Sequence, residues 1–264
     1  MLQLVLYLLV SFLASVAGAI CGIGGGVIIK PVLDVCAFDS VSTISFLSGL
    51  TVLSMSLYSV VRNTVSGGSQ IDVKTGTPLA IGAAAGGVAG KQLFSVIKGL
   101  FADSNTVGAV QAACLAVVTL GTLLYTIFKD RISPHRVEGM GGCLCIGFVL
   151  GIMSSFLGIG GGPINLVVLF FFFGMDTKTA AQNSLYIILF SQIASLATTL
   201  LTRSVPEFEW GALLLMVCGG IGGGMVGRSV NKRISGEAVD QLFMVLMAII
   251  IFISVYNTVR YSVG

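Results

Sequence analysis

Apolar runs long enough to cross a bilayer alternate with short polar connections along the whole chain. A helix rises 1.5 Å per residue, so about 20 residues cross the roughly 30 Å of hydrocarbon. Residues 41–61, 75–97, 106–128, 178–201, 209–229 and 238–260 meet that length as uninterrupted spans. Two further stretches, Leu2 to Phe38 and Gly139 to Phe173, are too long, since each would make a straight helix of roughly 50 Å. Both are broken by a glycine run, Gly22-Ile23-Gly24-Gly25-Gly26 in one and Gly158-Ile159-Gly160-Gly161-Gly162 in the other. Glycine frees the backbone at these points and Pro31 or Pro163 starts a new helix readily, so each stretch is predicted to fold back on itself. The pattern predicts an all-α polytopic membrane protein of eight hydrophobic segments and about ten helices.

The chain is also an internal duplication. The Gly-Ile-Gly-Gly-Gly run recurs at an offset of 136, and Gly86-Gly87-Val88-Ala89-Gly90-Lys91 matches Gly223-Gly224-Met225-Val226-Gly227-Arg228 at an offset of 137. Residues 1–128 and 139–264 are therefore read as two repeats, each a glycine-broken hairpin followed by three transmembrane helices, joined by the polar linker 129–138. Repeats with broken helices are a mark of secondary transporters.

Basic residues discriminate between topologies. If each broken element returns to its own side, Arg62, Lys74, Lys129, Arg131, Arg136, Lys178, Arg228, Lys232 and Arg233 share one side. Only Lys91, Lys98, Arg203 and Arg260 fall on the other, nine against four. If each broken element crosses once, the count is seven against six. The positive-inside rule favours the fold-back arrangement, with inverted repeats, a cytoplasmic linker and both termini outside.

Composition narrows the function classes. Only 9% of residues are charged, 55% are hydrophobic, and the 35 glycines bring the apolar share to about two-thirds. A soluble domain carries about 25% charged residues, so a soluble enzyme and a disordered chain are both excluded. The formal net charge of +3 is too small to suggest nucleic acid. The first apolar run resembles a signal peptide but has no basic segment before it and is read as a retained span. Six cysteines match no disulfide or zinc spacing and read as small packing residues, and the single histidine, His135, lies in the linker. No span carries a carboxylate pair, a Ser/Lys dyad or a metal-ligand cluster, so neither an enzyme nor a cofactor is expected.

The breaks are where chemistry is expected. Each leaves backbone N–H groups unpaired at the start of a half-helix, a ready anion site that survives in a membrane only where it is buried in protein or lines a cavity. Two such half-helices meeting at the midplane make a two-sided site from Gly24–Val27 and Gly160–Ile164; close helix packing is the bland alternative. Lys30 lies one turn into the first half-helix with Asp34 at i+4, either as a structural pair or as an anion anchor released from Asp34. The second repeat has Leu166 and Phe170 at those positions, and Asn165 supplies its polar group. Asp34 is the candidate for proton coupling. The following helices begin with polar residues, Ser42, Thr43, Ser45 and Ser48 in one half, Thr179, Gln182, Asn183 and Ser184 in the other, then Ser191 and Gln192. These bind oxyanion oxygens or bond helix to helix. Asp39, Asp176 and Lys178 read as loop charges and caps, and Glu207, Phe208, Glu209 and Trp210 as an interfacial belt.

At these residues the chain resembles the TauE/SafE family of sulfite and organosulfonate exporters. Gly22-Ile-Gly-Gly-Gly-Val-Ile-Ile-Lys-Pro-Val-Leu33 looks like the family's first glycine motif with its proline-leucine pair. Gly158-Ile-Gly-Gly-Gly-Pro163 with Gln182-Asn183-Ser184-Leu185 looks like its second. The resemblance implies a bacterial inner-membrane transporter of small anions, mostly sulfur oxyanions or sulfonates, coupled to protons. It also implies that Gly24, Gly25, Gly26, Gly160, Gly161, Gly162, Asn183 and Ser184 line the pathway. Three departures bear on substrate more than on fold: Lys30 stands at an expected apolar position, Ser45-Phe46-Leu47-Ser48 replaces a Gly-Thr-Ser type sequence, and Val167 replaces a proline. The expected function is alternating-access transport of sulfite, thiosulfate or an organosulfonate. An anion channel and a transporter of a non-sulfur carboxylate are the alternatives. The partners expected are the anion, the bilayer, protons and a second copy of the chain.

Overall fold

The computed structural model describes residues 2–36, 38–67, 69–100, 104–137, 139–157, 159 and 161–263. Among them all regular structure is helical. The first half contains α1 (Leu2–Cys21), α2 (Gly26–Cys36), α3 (Val41–Val65), α4 (Val73–Leu100) and α5 (Ser104–Phe128). After a 3-10 turn at Lys129–Arg131 come α6 (Met140–Leu157), α7 (Pro163–Phe173), α8 (Thr177–Leu201), α9 (Trp210–Arg233) and α10 (Gly236–Val263). Seven of these (α1, α3, α5, α6, α8, α9 and α10) are long and apolar enough to cross a membrane. α4 has 28 residues but is diluted by glycine, alanine and lysine. α2 and α7, with 11 residues each, reach only about half-way at 1.5 Å per residue.

The chain turns where the glycines predicted. Gly22 and Gly24 take φ values of +77° and +71°, and Gly161 and Gly162 take +120° and +84°, a region that disfavours any residue with a Cβ. Gly158 and Gly160 lie outside the described residues.

Packing fixes the direction of every long helix. Gly219, Gly223 and Gly227 of α9 lie against Leu8, Phe12 and Val16 of α1 in that order, so the two helices run parallel. Gly82, Gly86 and Gly90 of α4 lie in the same way against Leu144, Phe148 and Ile152 of α6. A methyl group at Gly86 or Gly223 would run into the carbonyl oxygen of Phe148 or Phe12. The second duplicated glycine motif is thus a pair of close-packing seams, in which small residues bring helix backbones together. α5 and α10 are antiparallel, with Gly108 against Tyr261 at one end and Lys129 paired with Asp240 at the other. Exchanging the halves maps α1/α9 onto α6/α4 and α5/α10 onto itself with direction reversed, so the repeats are inverted.

The broken elements fold back. Tyr7, near the start of α1, donates its hydroxyl to Asp39 beyond the end of α2. Arg260, near the end of α10, donates to the Val35 carbonyl at 2.6 Å. The starts of α1 and α3 and the ends of α2 and α10 therefore share one face, called here the terminal face. Opposite lies the linker face, where the amides of His135 and Val137 donate to Phe171 and Phe172 at the end of α7, both at 2.6 Å. All six cysteines are free; Cys21 and Cys143 pack in the core, and Cys145 and Cys218 are exposed on the bundle surface.

Candidate functional site

The fold brings the two glycine breaks together. A methyl group on Gly26 would sit 2.6 Å from the Ile159 carbonyl oxygen and 3.2 Å from Ser48 Oγ, and one on Gly162 would sit 3.5 Å from the Val27 side chain. Gly24 and Gly161 both lie against Ile188 of α8, and Gly25 packs on Ser15 of α1. Asn165 reaches Gly161 from α7. This junction therefore joins Gly24, Gly25, Gly26, Val27, Ser48, Gly161, Gly162 and Asn165, with the expected Gly160 outside the described residues. In this conformation it is sealed by Val27, Val52, Ile159 and Ile188, all essentially inaccessible to solvent. Polar atoms are nonetheless buried without a hydrogen-bond partner: Ser48 Oγ and Asn165 Oδ1 at the junction, and the Ser184 and Ser191 hydroxyls about a turn to either side of Ile188 on α8. Such atoms cost about 1–3 kcal/mol each unless water or a ligand satisfies them.

A cavity of about 230 Å³ runs inward from the terminal face between α3, α4 and α8. Its mouth is Ser42, Ser204 and Pro206, and its inner end is Gly49, Gln111, Ser154 and Gln192. Ser154 lies in the last turn of α6 and Gly49 beside Ser48, so the cavity stops about one helical turn short of the glycine junction. Among the described residues, Lys91 is the one cation in the wall and no carboxylate lines it. Its ammonium donates to the Ser195 carbonyl at 3.2 Å and to the Thr199 hydroxyl. The Ser154 hydroxyl is buried and unpartnered. A half-buried ammonium, two amides and several hydroxyls, with no opposing carboxylate among the described residues, favour a small anion.

Lys30 is outside this wall. Its ammonium is 3.6 Å from Asp34 and donates to Gln111 Oε1 at 3.1 Å, with both charged side chains buried. Gln111 in turn donates to the Phe156 carbonyl at 2.6 Å, just before the second break. Lys30 thus touches the cavity through Gln111, and Asp34 lies further back, where Arg260 of the neighbouring α10 donates to its backbone carbonyl at 3.3 Å and Asn257 donates to the Pro31 carbonyl at 3.1 Å.

Gln182 and Asn183 are elsewhere again. Asn183 accepts from the Asp72 amide at 3.0 Å and donates to the Gln70 carbonyl at 3.1 Å, while Gln182 accepts from the Gln70 amide at 2.9 Å. They bind the α3–α4 loop down over the start of α8 and close the linker face. Asp176 caps α8: its carboxylate accepts from the amides of Lys178 and Thr179 and from the Thr179 hydroxyl. Partial burial raises its pKa, but those hydrogen bonds outweigh it and hold the group below the usual carboxylate range. At the terminal face the Thr43 hydroxyl donates to the Glu207 carbonyl at 3.0 Å and Phe46 makes a ring contact with Phe208.

Reading the chain alone missed Lys91 and Gln111 as cavity residues. Lys91 was counted as a boundary charge; the signal was that each copy of the second glycine motif ends on a cation, Lys91 or Arg228. Gln111 stood in an apolar helix with no local pattern to mark it. No group of three or more His, Cys, Asp or Glu side chains converges among the described residues.

Comparison with known proteins adds the family. Residues 7–254 match the family described as "Sulfite exporter TauE/SafE". The chain is also 22% identical over 271 residues to the "Probable membrane transporter protein YunE" of Bacillus subtilis (strain 168), covering 94% of this chain and 96% of that one. No solved structure matches. The glycine-broken inverted repeats, the anion-suited cavity and a family match over nearly the whole chain agree: this chain belongs to the sulfite exporter TauE/SafE family of membrane transporters.

Proposed function

We propose that the chain is a secondary transporter of a small sulfur oxyanion, sulfite, thiosulfate or an organosulfonate, working by alternating access between its inverted repeats. The observation that carries this reading is the cavity at the terminal face, whose single charge among the described residues is Lys91, facing a linker face bound shut by Gln70, Asp72, Gln182 and Asn183. In this account the anion enters along Ser42 and Ser195 and exchanges its hydration shell for Lys91, Gln192, Gln111 and Ser154. Tetrahedral or pyramidal oxyanions suit several donors converging on one small volume.

Passage then requires the glycine junction to part. Gly24–Val27 and Gly161–Gly162 serve as the hinge, and the stranded Ser48, Ser184, Ser191 and Asn165 groups take the substrate as it crosses. Backbone amides at the half-helix starts contribute their partial positive charge during that step. Asp34, one bond behind Lys30, is the candidate proton carrier. By charge count the linker 129–138 is cytoplasmic and both termini are outside a bacterial inner membrane, with 1–128 and 139–264 acting as the repeats.

The test is flux in proteoliposomes across a panel of sulfite, thiosulfate, small sulfonates and short carboxylates. Saturable flux selective for a sulfur anion, with counter-exchange, is the expected outcome. Unsaturable flux would make the protein a channel, and no anion flux under any gradient would overturn the reading.

A further inference from the structure

The cavity at Lys91 has a collapsed counterpart on the linker face. Lys91, Phe94, Ser195 and Thr199 line the first. Arg228, Asn231, Ser59 and Asn63, the residues 136 or 137 positions away in the other repeat, line a pocket of about 30 Å³. The bond made by the cation is duplicated as well: Lys91 donates to Thr199, and Arg228 Nε donates to Asn63 Oδ1 at 2.6 Å. Among the described residues the small pocket, like the open cavity, has no carboxylate in its wall; it holds a second cation, Lys232, and a buried, unpartnered hydroxyl, Ser59 Oγ. What differs is closure. Arg228 also donates to Ser66 Oγ at 2.6 Å and to the Arg62 carbonyl at 3.2 Å, and Gln182, which ties down the loop at Gln70, forms part of the pocket wall.

We propose that the pocket at Arg228 is a second anion-binding site, formed when the linker face opens and taking the same small oxyanion that Lys91 takes from the terminal face. This rests on the transport reading above. On opening, the guanidinium gives up Ser66, Arg62 and Asn63 and turns its donors to the anion, while the Lys91 cavity shrinks toward the size its counterpart has here. The two sites are not equivalent chemically. Lysine is a point charge, whereas arginine offers a planar fork that grips two oxyanion oxygens at once, so the linker-face site holds the anion more specifically.

The test measures sulfite uptake into vesicles of both orientations, so that substrate meets either face. Arg228→Gln is expected to raise KM by about tenfold for sulfite presented at the linker face, as for the loss of one charge-assisted contact, and by less than about twofold at the terminal face. Arg228→Lys, which keeps the charge, is expected to recover most of the affinity and reports whether the glutamine variant fails merely by misfolding. A purely structural role for Arg228 would lower kcat equally from both faces with KM unchanged, and that result overturns the proposal. Wild-type vesicles that carry none of sulfite, thiosulfate, small sulfonates and short carboxylates from either face would overturn the transport reading, and this proposal with it. Wild-type flux with an unaffected Arg228→Gln variant would overturn this proposal alone.

Discussion

The Lys30 ammonium donates to the Gln111 side-chain oxygen at 3.1 Å, so the buried charge of the first half-helix meets the cavity at the terminal face through an amide. Asp34, 3.6 Å away, supplies the counter-charge. Removing one member of a buried pair strands the other, at about 3–5 kcal/mol, whereas replacing both by apolar residues is close to neutral. Lys30→Met should therefore lower the unfolding temperature in detergent sharply, and Lys30→Met/Asp34→Leu should recover most of the loss. A double variant no more stable than the single one would contradict the pairing.

The glycine seams make a sharper claim about which glycines matter. A methyl group at Gly86 would collide with the Phe148 carbonyl, while nothing lies within 4 Å of one at Gly121. Gly86→Ala should force α4 off α6 and cost several kcal/mol, whereas Gly121→Ala should be neutral or stabilise by up to about 1 kcal/mol. Thermal unfolding of the two variants side by side is the check.

Asn183 is the clasp of the linker face. Asn183→Ala strands the Asp72 amide and the Gln70 carbonyl, a cost of about 1–3 kcal/mol to the closed state, or roughly 5- to 150-fold in population. In a Ser59→Cys background, an impermeant maleimide applied to that face should then label faster by a factor in that range. Unchanged labelling would mean that the loop is not what holds the face shut.

Asp176 gives a pH prediction outside the membrane. Its pKa is held below the ordinary carboxylate value, so its cap stabilises the fold above about pH 4 and is lost as the pH falls through the folded-state value. Asp176→Ala should cost about 1 kcal/mol near neutral pH, and the gap between variant and wild type should close in acid. A gap that persists or widens below pH 3 would contradict the sign.

Much of this molecule is legible in its sequence, for identifiable reasons. The breaks at Gly24 and Gly161 could be read because a run of nearly forty residues cannot cross a bilayer straight, and the glycines mark where it bends. Inversion could be read because the charges at Arg62, Lys129 and Lys232 fall on one side only in the fold-back arrangement. The cavity was not legible, because α3, α4 and α8 make it together with single residues of α5 and α6, and nothing local to Gln111 announces its place there. Gln182 and Asn183 look like substrate ligands at a polar helix start. Only the structure reveals that Gln70 and Asp72 occupy their donors and acceptors. Lys91 was hidden by position: a cation near the end of an apolar run looks like a boundary charge until Thr199 and Ser195 are seen around it.

Uptake of the anion at Lys91 is tested by the concentration dependence of sulfite flux in proteoliposomes for Lys91→Gln and Lys91→Arg. The account expects the glutamine variant to raise KM by about tenfold and the arginine variant to stay near wild type, as for a lost and a retained charge-assisted contact. A Lys91→Gln protein with wild-type KM and kcat would show that Lys91 does not bind the substrate, and would overturn uptake at this cavity.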